Sequence, residues 1–271
     1  MTLTKLFRLS VFCLVALLSA CTALDLRDAN QQLVTYYTAK QNALAAQKQA
    51  TAGGYEDSFA IMEGLRDSFS LLGEQAFAQA GAAKDPLNRI AFYRIATTAA
   101  WQAQDGKAGV YAAEGIRLCD AGNSADAPTD CALLMVMPTL ASVDIETRKL
   151  NQLDKRVSAP GYTSTEDDRQ QAEAIFGALS DAFTRLLKQR TSTRETPVSE
   201  SFVIALDRNI GMLLCKHIAG SALGELGQVD STVERMQAAS IQVSKMKCDA
   251  IAAKIEPSQA DCLVPGPALC P

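Results

Sequence analysis

The sequence predicts an all-α fold of about eight helices paired in antiparallel hairpins and braced by disulfides. Apolar residues recur at three- and four-residue steps along most of the chain, and no stretch alternates apolar with polar as a half-buried strand would. The polar turns between periodic segments are short, which makes successive helices antiparallel neighbours. The 271 residues are 48% hydrophobic and 21% charged, a balance that supports a packed core and opposes disorder. A formal charge of −4 gives no basic footprint, so no nucleic-acid partner is expected. The single histidine leaves little material for a histidine-based metal or catalytic centre; neither a metal nor a cofactor is expected.

Taken in order, Leu33 to Gln49 reads as an Ala/Gln-rich helix with few breakers. Phe59, Met62, Leu65, Phe69, Leu72 and Ala76 mark a second helix, closed by Gly81. Asp85-Pro86 supplies an N-cap and a first-turn proline for a third, which runs through Trp101 to the Asp105-Gly106 turn. Lys107 to Asp120 is its partner, with Ala108, Gly109, Ala112, Ala113 and Gly115 small enough for close approach. Thr129 to Val157 follows, with a kink expected at Pro138. Its run Ala132 to Pro138 is apolar on all sides and is expected to be the central buried helix. Thr165 with Glu166, Asp167 and Asp168 opens the next helix. Ala172, Ile175, Phe176, Leu179, Phe183, Leu186 and Leu187 form its wide apolar stripe. Pro197 starts another, with Val203, Leu206, Ile210, Leu213 and Leu214 on one face and a turn near Gly224 to Asp230. Ser231-Thr232-Val233-Glu234 reads as a capping box for the last helix, which runs to about Glu256. The Pro-rich tail 257–271 is not expected to be helical.

The segment Phe92 to Asp120, with Tyr93, Ala96, Trp101 and Tyr111 around Asp105-Gly106, is similar to one tetratricopeptide-type helical hairpin. Gly115 stands where that family places an aromatic, and its period of about 34 residues does not recur. What the resemblance implies is therefore architecture: a body of stacked hairpins, with a compact irregular bundle as the other arrangement.

The N-terminus carries an address. Lys5 and Arg8 precede the apolar run Val11 to Leu18, which ends in small residues, the plan of a secretory signal over 1–20. That run falls well short of the roughly 20 apolar residues a membrane span needs. Leu18-Ser19-Ala20-Cys21 resembles the lipobox of bacterial lipoproteins. The resemblance implies that the Cys21 thiol receives a diacylglyceryl group, that the chain is cut before it, and that the new amine is acylated. Two or three acyl chains anchor stably where one does not. Thr22 stands where that family uses Asp for inner-membrane retention, which implies the outer membrane. Residues 21–28 are then a lipidated tether, roughly 25 Å at most from Thr22 to Asp28, and 29–256 the helical domain.

Of eight cysteines, Cys13 leaves with the signal and Cys21 carries lipid. The rest are Cys119, Cys131, Cys215, Cys248, Cys262 and Cys270, an even number that reads as disulfides in an exported chain. No Cys-x-x-Cys pair occurs, which speaks against zinc. Cys119 and Cys131 bracket a turn-rich loop and are expected to pair across its base. With the turn at Gly224 to Asp230, Cys215 mirrors to near Ala239. That is roughly 13 Å of helix short of Cys248, too far for a bridge. The expected pairs are Cys248–Cys262 and Cys215–Cys270. Cys215–Cys248 with Cys262–Cys270 stays open if the turn lies later.

Candidate chemistry is sparse. His217 reads as a partly buried structural histidine, and Glu166-Asp167-Asp168 as carboxylates complementing a helix N-terminus. No Gly-x-Ser-x-Gly elbow occurs, and Gly53-Gly54 and Gly224-x-x-Gly227 lack a phosphate-loop lysine or a dinucleotide fingerprint. Met135 and Met137 could line a groove for a partner helix or an acyl chain, since thioethers adapt to varied surfaces. The functional expectation is an outer-membrane-anchored periplasmic lipoprotein. It would serve as a non-catalytic protein-binding adaptor or assembly factor, its partners the membrane and an envelope protein. The alternatives are a hydrolase of cell wall or glycans using two carboxylates about 5 to 9 Å apart, and a hydrophobic-ligand carrier.

Overall fold

The computed structural model describes residues 24–49, 52–193, 197–230, 232–255, 262 and 270, the side chains of 48–49 and 52–59 aside. The predicted signal, Cys21, and nearly all of the tail lie outside the described residues. All regular structure among the described residues is helical, in eight rods. The stretch read as one helical domain forms two compact units, the first ending at Asn123 and the second beginning at Ser124.

The first unit contains α1 (Leu26–Gln49), α2 (Ala52–Ala82), α3 (Pro86–Ala103), α4 (Ala108–Leu118) and a π-helical turn (Cys119–Asn123). Helix α1 starts earlier than the apolar period suggests, because the Asp25 carboxylate accepts the Asp28 N–H at 2.8 Å and caps it inside the expected tether. Each helix packs on the next, and α1 also reaches α3. Small residues set the spacing: a β-carbon on Gly73 of α2 would meet Ala96 and Ala100 of α3 at 3.4 Å. Phe77 of α2 then stacks on Tyr111 at 4.4 Å and meets Tyr93 edge-on at 5.6 Å, tying three helices together. Asp85 caps α3 through the Asn88 N–H as the sequence predicts. Left-handed Gln104 ends it.

The second unit contains α5 (Pro128–Val157), α6 (Glu166–Ser192), α7 (Glu200–Met212), a second π segment (Leu213–Ala222), α8 (Leu223–Val229) and α9 (Val233–Ala252). The rod α7–π–α8 is continuous to Val229, so the turn lies between Val229 and Val233, at the far end of the expected Gly224 to Asp230 stretch and beyond it. Helix α6 is the central one. It packs against α5, α7, the π segment and α8, and Leu179 and Leu186 are fully buried. This corrects the expectation for Ala132 to Pro138. That run buries Ala132, Leu134, Val136 and Met137 but leaves Met135 41% exposed, because α5 lies at one side of α6. Helix α5 as a whole is long and apolar enough to pass for a membrane span by length and composition alone. Gln189 of α6 donates to the Met135 carbonyl at 2.7 Å, one residue beyond the carbonyl that Pro138 cannot serve. The α5–α6 loop is tied by Asp168, whose carboxylate accepts from the Tyr162 hydroxyl at 2.6 Å and from the Thr165 N–H and hydroxyl at 2.9 and 2.8 Å. Arg156 pairs with it at 2.6 Å. The expected carboxylate-rich start of α6 is thus a capping box.

Candidate functional site

The α8–α9 corner gathers the features most suggestive of function. Upstream of it the rod widens into the π segment, a geometry often found at functional sites. There the Ser221 hydroxyl donates to the Lys216 carbonyl five residues back, at 3.1 Å. His217 lies half-buried in this segment, and burial, then the Lys216 charge, pushes its imidazole below the ordinary histidine range. That fits the structural role expected of it.

The corner is held by a buried carboxylate. Asp230 accepts from the Thr232 N–H at 3.0 Å, the Thr232 hydroxyl at 2.8 Å and Arg235 at 2.8 Å. These bonds, the Thr232 backbone first, hold its carboxyl below the usual range. Arg235 also reaches Glu173 on α6 at 2.6 Å, which fixes the start of α9 to the central helix. Ser231, the first residue of the expected capping box, lies outside the described residues; Thr232 is the N-cap, and its hydroxyl is spent on Asp230.

Beyond this knot an open groove of about 600 Å³ runs between α8 and α9. Gly227, Asp230, Val233, Met236, Gln237, Ser240 and Ile241 line it, and its walls are mostly apolar. Val233 and Ile241 are 68% and 70% exposed, eight residues apart and so on one face of α9. From Met236 to Ser244 the helix carries no charge. Exposed aliphatics on an uncharged helical face mark an interaction surface better than single scattered ones do.

On the inner side of α8 lies Glu225, 6% exposed. One carboxyl oxygen accepts from Gln228 Nε2 at 3.1 Å, and the other, Oε2, has no hydrogen-bond donor. Burial pushes this carboxyl up to about 7, and the neighbouring Asp154 carboxylate of α5 adds to the rise while Gln228 opposes it. No sequence signal marked Glu225, because a lone Glu between Gly224 and Leu226 reads as an ordinary helical surface residue.

The cysteines meet differently from either expected arrangement. Cys215 pairs with Cys262 and Cys248 with Cys270, with Cα atoms 5.6 and 5.3 Å apart. The later turn makes Cys215 and Cys248 nearly equidistant from it along the two rods. The chain leaves α9 through left-handed Lys254 and buried Ile255, so it turns off the helix axis and its first cysteine meets the facing rod. Cys119 and Cys131 are disulfide-bonded as well.

Met135 and Met137 do not share a groove, since one is exposed and the other 5% exposed. Two residues apart on a helix, they point to opposite sides. No cluster of three metal-ligating side chains occurs among the described residues. No protein family, curated protein or solved structure matches the chain.

Proposed function

We propose that the chain is a lipoprotein of the outer membrane, held at its periplasmic face through acylated Cys21. There it acts as a non-catalytic adaptor that docks an apolar helix of another envelope protein along the α8–α9 groove. The observation that carries this reading is the pair of exposed aliphatics on α9, Val233 and Ile241, the second of them within the uncharged stretch Met236 to Ser244. An uncharged apolar face selects a partner surface of the same character, and an amphipathic helix is the element that presents one in a row. The lipobox supports the anchor, and three disulfides' worth of half-cystines suit an oxidising compartment. With α1 capped at Asp25, the span from Cys21 to Leu26 is about 17 Å at most, which keeps the body close to the membrane face.

The alternatives fit less well. Glycosidase carboxylates stand about 5 to 9 Å apart to admit the bond and a water. Glu225 and Asp154, the carboxylates that act on one another, do not line the open groove. A carrier needs an enclosed apolar cavity, whereas this groove is open.

The test combines palmitate labelling with a photocrosslinking residue at position 241, in the intact envelope. Labelling is expected to vanish in Cys21→Ser. Crosslinks from 241 are expected to map by mass spectrometry to an amphipathic helix of one partner, and to be absent from Ile204, an exposed control 56% accessible on α7. Label retained in Cys21→Ser overturns the anchor. Crosslinks only to lipid, to a second copy of the chain, or equally from 204 overturn the adaptor reading.

A further inference from the structure

We propose that buried Glu225 keeps a proton that it donates toward Asp154, and that losing it loosens α8 from α5 and so reshapes the groove; the groove's role rests on the docking reading above. The geometry leaves few other options. Glu225 Oε2 is buried without a donor, and the neighbouring carboxylate of Asp154 already accepts from the Ser158 hydroxyl at 3.1 Å. Two ionised carboxylates in contact repel, whereas a proton on Oε2 turns it into the donor that Asp154 can accept.

Among the described residues, no cation is among the groups that act on Glu225. From α6, Asp168, Arg169 and Glu173 are engaged with Arg156, Glu166 and Arg235. From the π segment, Lys216 and His217 act on one another, and Asp144 of α5 acts on His217. From α9, Arg235 bridges Asp230 and Glu173. None of these is among the groups that move Glu225, and only Asp154 reaches it with a charge.

Helix α8 is also the element least able to absorb a buried charge. It has seven residues, and Leu226 is its one apolar side chain with under a tenth of its surface exposed. Two residues after Glu225, Gly227 takes the Met236 methyl against its backbone, and Met236 lines the groove. A displacement of α8 therefore moves a groove wall without any intermediary.

The sign follows from linkage. In the docked state the proton is held up to about pH 7, and in the loosened state Glu225 returns to the ordinary carboxylate range. Opening of α8 thus becomes easier as pH rises through the interval between those values, and levels off above it.

Amide exchange on the purified, lipidated full chain in detergent reads this out. After correction for intrinsic rates, the opening constant for 223–229 is expected to rise by up to about tenfold per pH unit from pH 5 and to level off near pH 7. Glu225→Gln is expected to flatten the profile. Asp154→Asn, an exposed position, is expected to bring the plateau to lower pH. A flat wild-type profile, a rise that persists in Glu225→Gln, or a plateau unmoved by Asp154→Asn overturns the proposal. Because no partner is present, these outcomes are independent of the crosslinking at 241. Lost crosslinks with an intact pH profile sink the docking reading alone.

Discussion

The Met236 methyl lies 3.1 Å from the place a β-carbon on Gly227 would occupy, so α8 and α9 meet there with only a hydrogen between them. The neighbour that must give way is the far end of a flexible side chain, so Gly227→Ala is inexpensive in packing and gains helix propensity of up to about 1 kcal/mol. The substitution is expected to leave stability unchanged or slightly raised while it pushes Met236 into the groove and weakens docking. Val233→Arg, at a position 68% exposed, is expected to change stability by less than about 0.5 kcal/mol and to abolish crosslinking from the probe at 241. Urea unfolding beside the crosslinking assay separates the two effects. Equal crosslinking in both variants would show that the face is not used.

Asp168 predicts an acid-sensitive joint between α5 and α6. The Tyr162 hydroxyl, then the Thr165 N–H, hold its carboxyl far below the ordinary range, with the Thr165 hydroxyl and Arg156 adding. A carboxyl depressed in the folded state contributes stability above its unfolded value, near 4, and loses that contribution as pH falls further. Asp168→Asn is therefore expected to melt lower than wild type at pH 7, with the difference closing in acid. Tyr162→Phe should move the same way by less. Thermal melts from pH 7 down to pH 2 check it; a difference constant with pH would assign the loss to packing.

How much of this was legible in the sequence depends on whether the signal was local. Asp85-Pro86 and Thr165–Asp168 act within one turn of backbone, and both caps stand where the residues put them. The corner before α9, where Ser231–Glu234 reads as a capping box, has a non-local organiser, and Ser231 itself lies outside the described residues. Thr232 spends its hydroxyl on Asp230, and Asp230 in turn holds Arg235, so the corner is governed by a buried acid that spacing does not reveal. Apolar period identified α6 but ranked Ala132–Pro138 above it, because uniform apolarity does not say which helix has neighbours on most sides. Glu225 was invisible for a related reason: its chemistry comes from Asp154, seventy-one positions away and on another helix. The exposed face of α9 was hidden because Val233 and Ile241 look like core residues until their exposure is known.

Arg190 and Asp207 predict the cost of separating α6 from α7. Arg190 Nε and Nη2 both donate to the Asp207 carboxylate, the second at 3.1 Å, and both side chains are nearly buried. A bidentate pair satisfies both charges, yet its net worth over an apolar pair is small, because both ions gave up water. Removing one partner strands the other. Asp207→Asn is thus expected to cost about 3 kcal/mol, whereas Arg190→Met with Asp207→Leu together cost far less than two such losses. Urea unfolding of the two singles and the double decides; additive losses would show that the two side chains contribute separately.

The disulfide connectivity makes the sharpest chemical prediction. Trypsin leaves Cys262 and Cys270 on one peptide, since no Lys or Arg follows Lys254, so the tail must be opened between them; cleavage after Leu263 by chymotrypsin does this. Under non-reducing conditions the fragment ending at Leu263 is expected linked to the Cys215 peptide, and the fragment ending at Pro271 to the Cys248 peptide. The bridges close segments of 47 and 22 residues. Chain-entropy reasoning gives about 3 to 4 kcal/mol for loops of this size. Replacing Cys248 and Cys270 together by Ser should therefore lower unfolding free energy by roughly that amount, while Cys215–Cys262 still holds the tail to the π segment. A Cys248–Cys262 fragment would mean that the tail folds back on its own helix, and the path of the chain through Lys254 and Ile255 would have to be redrawn.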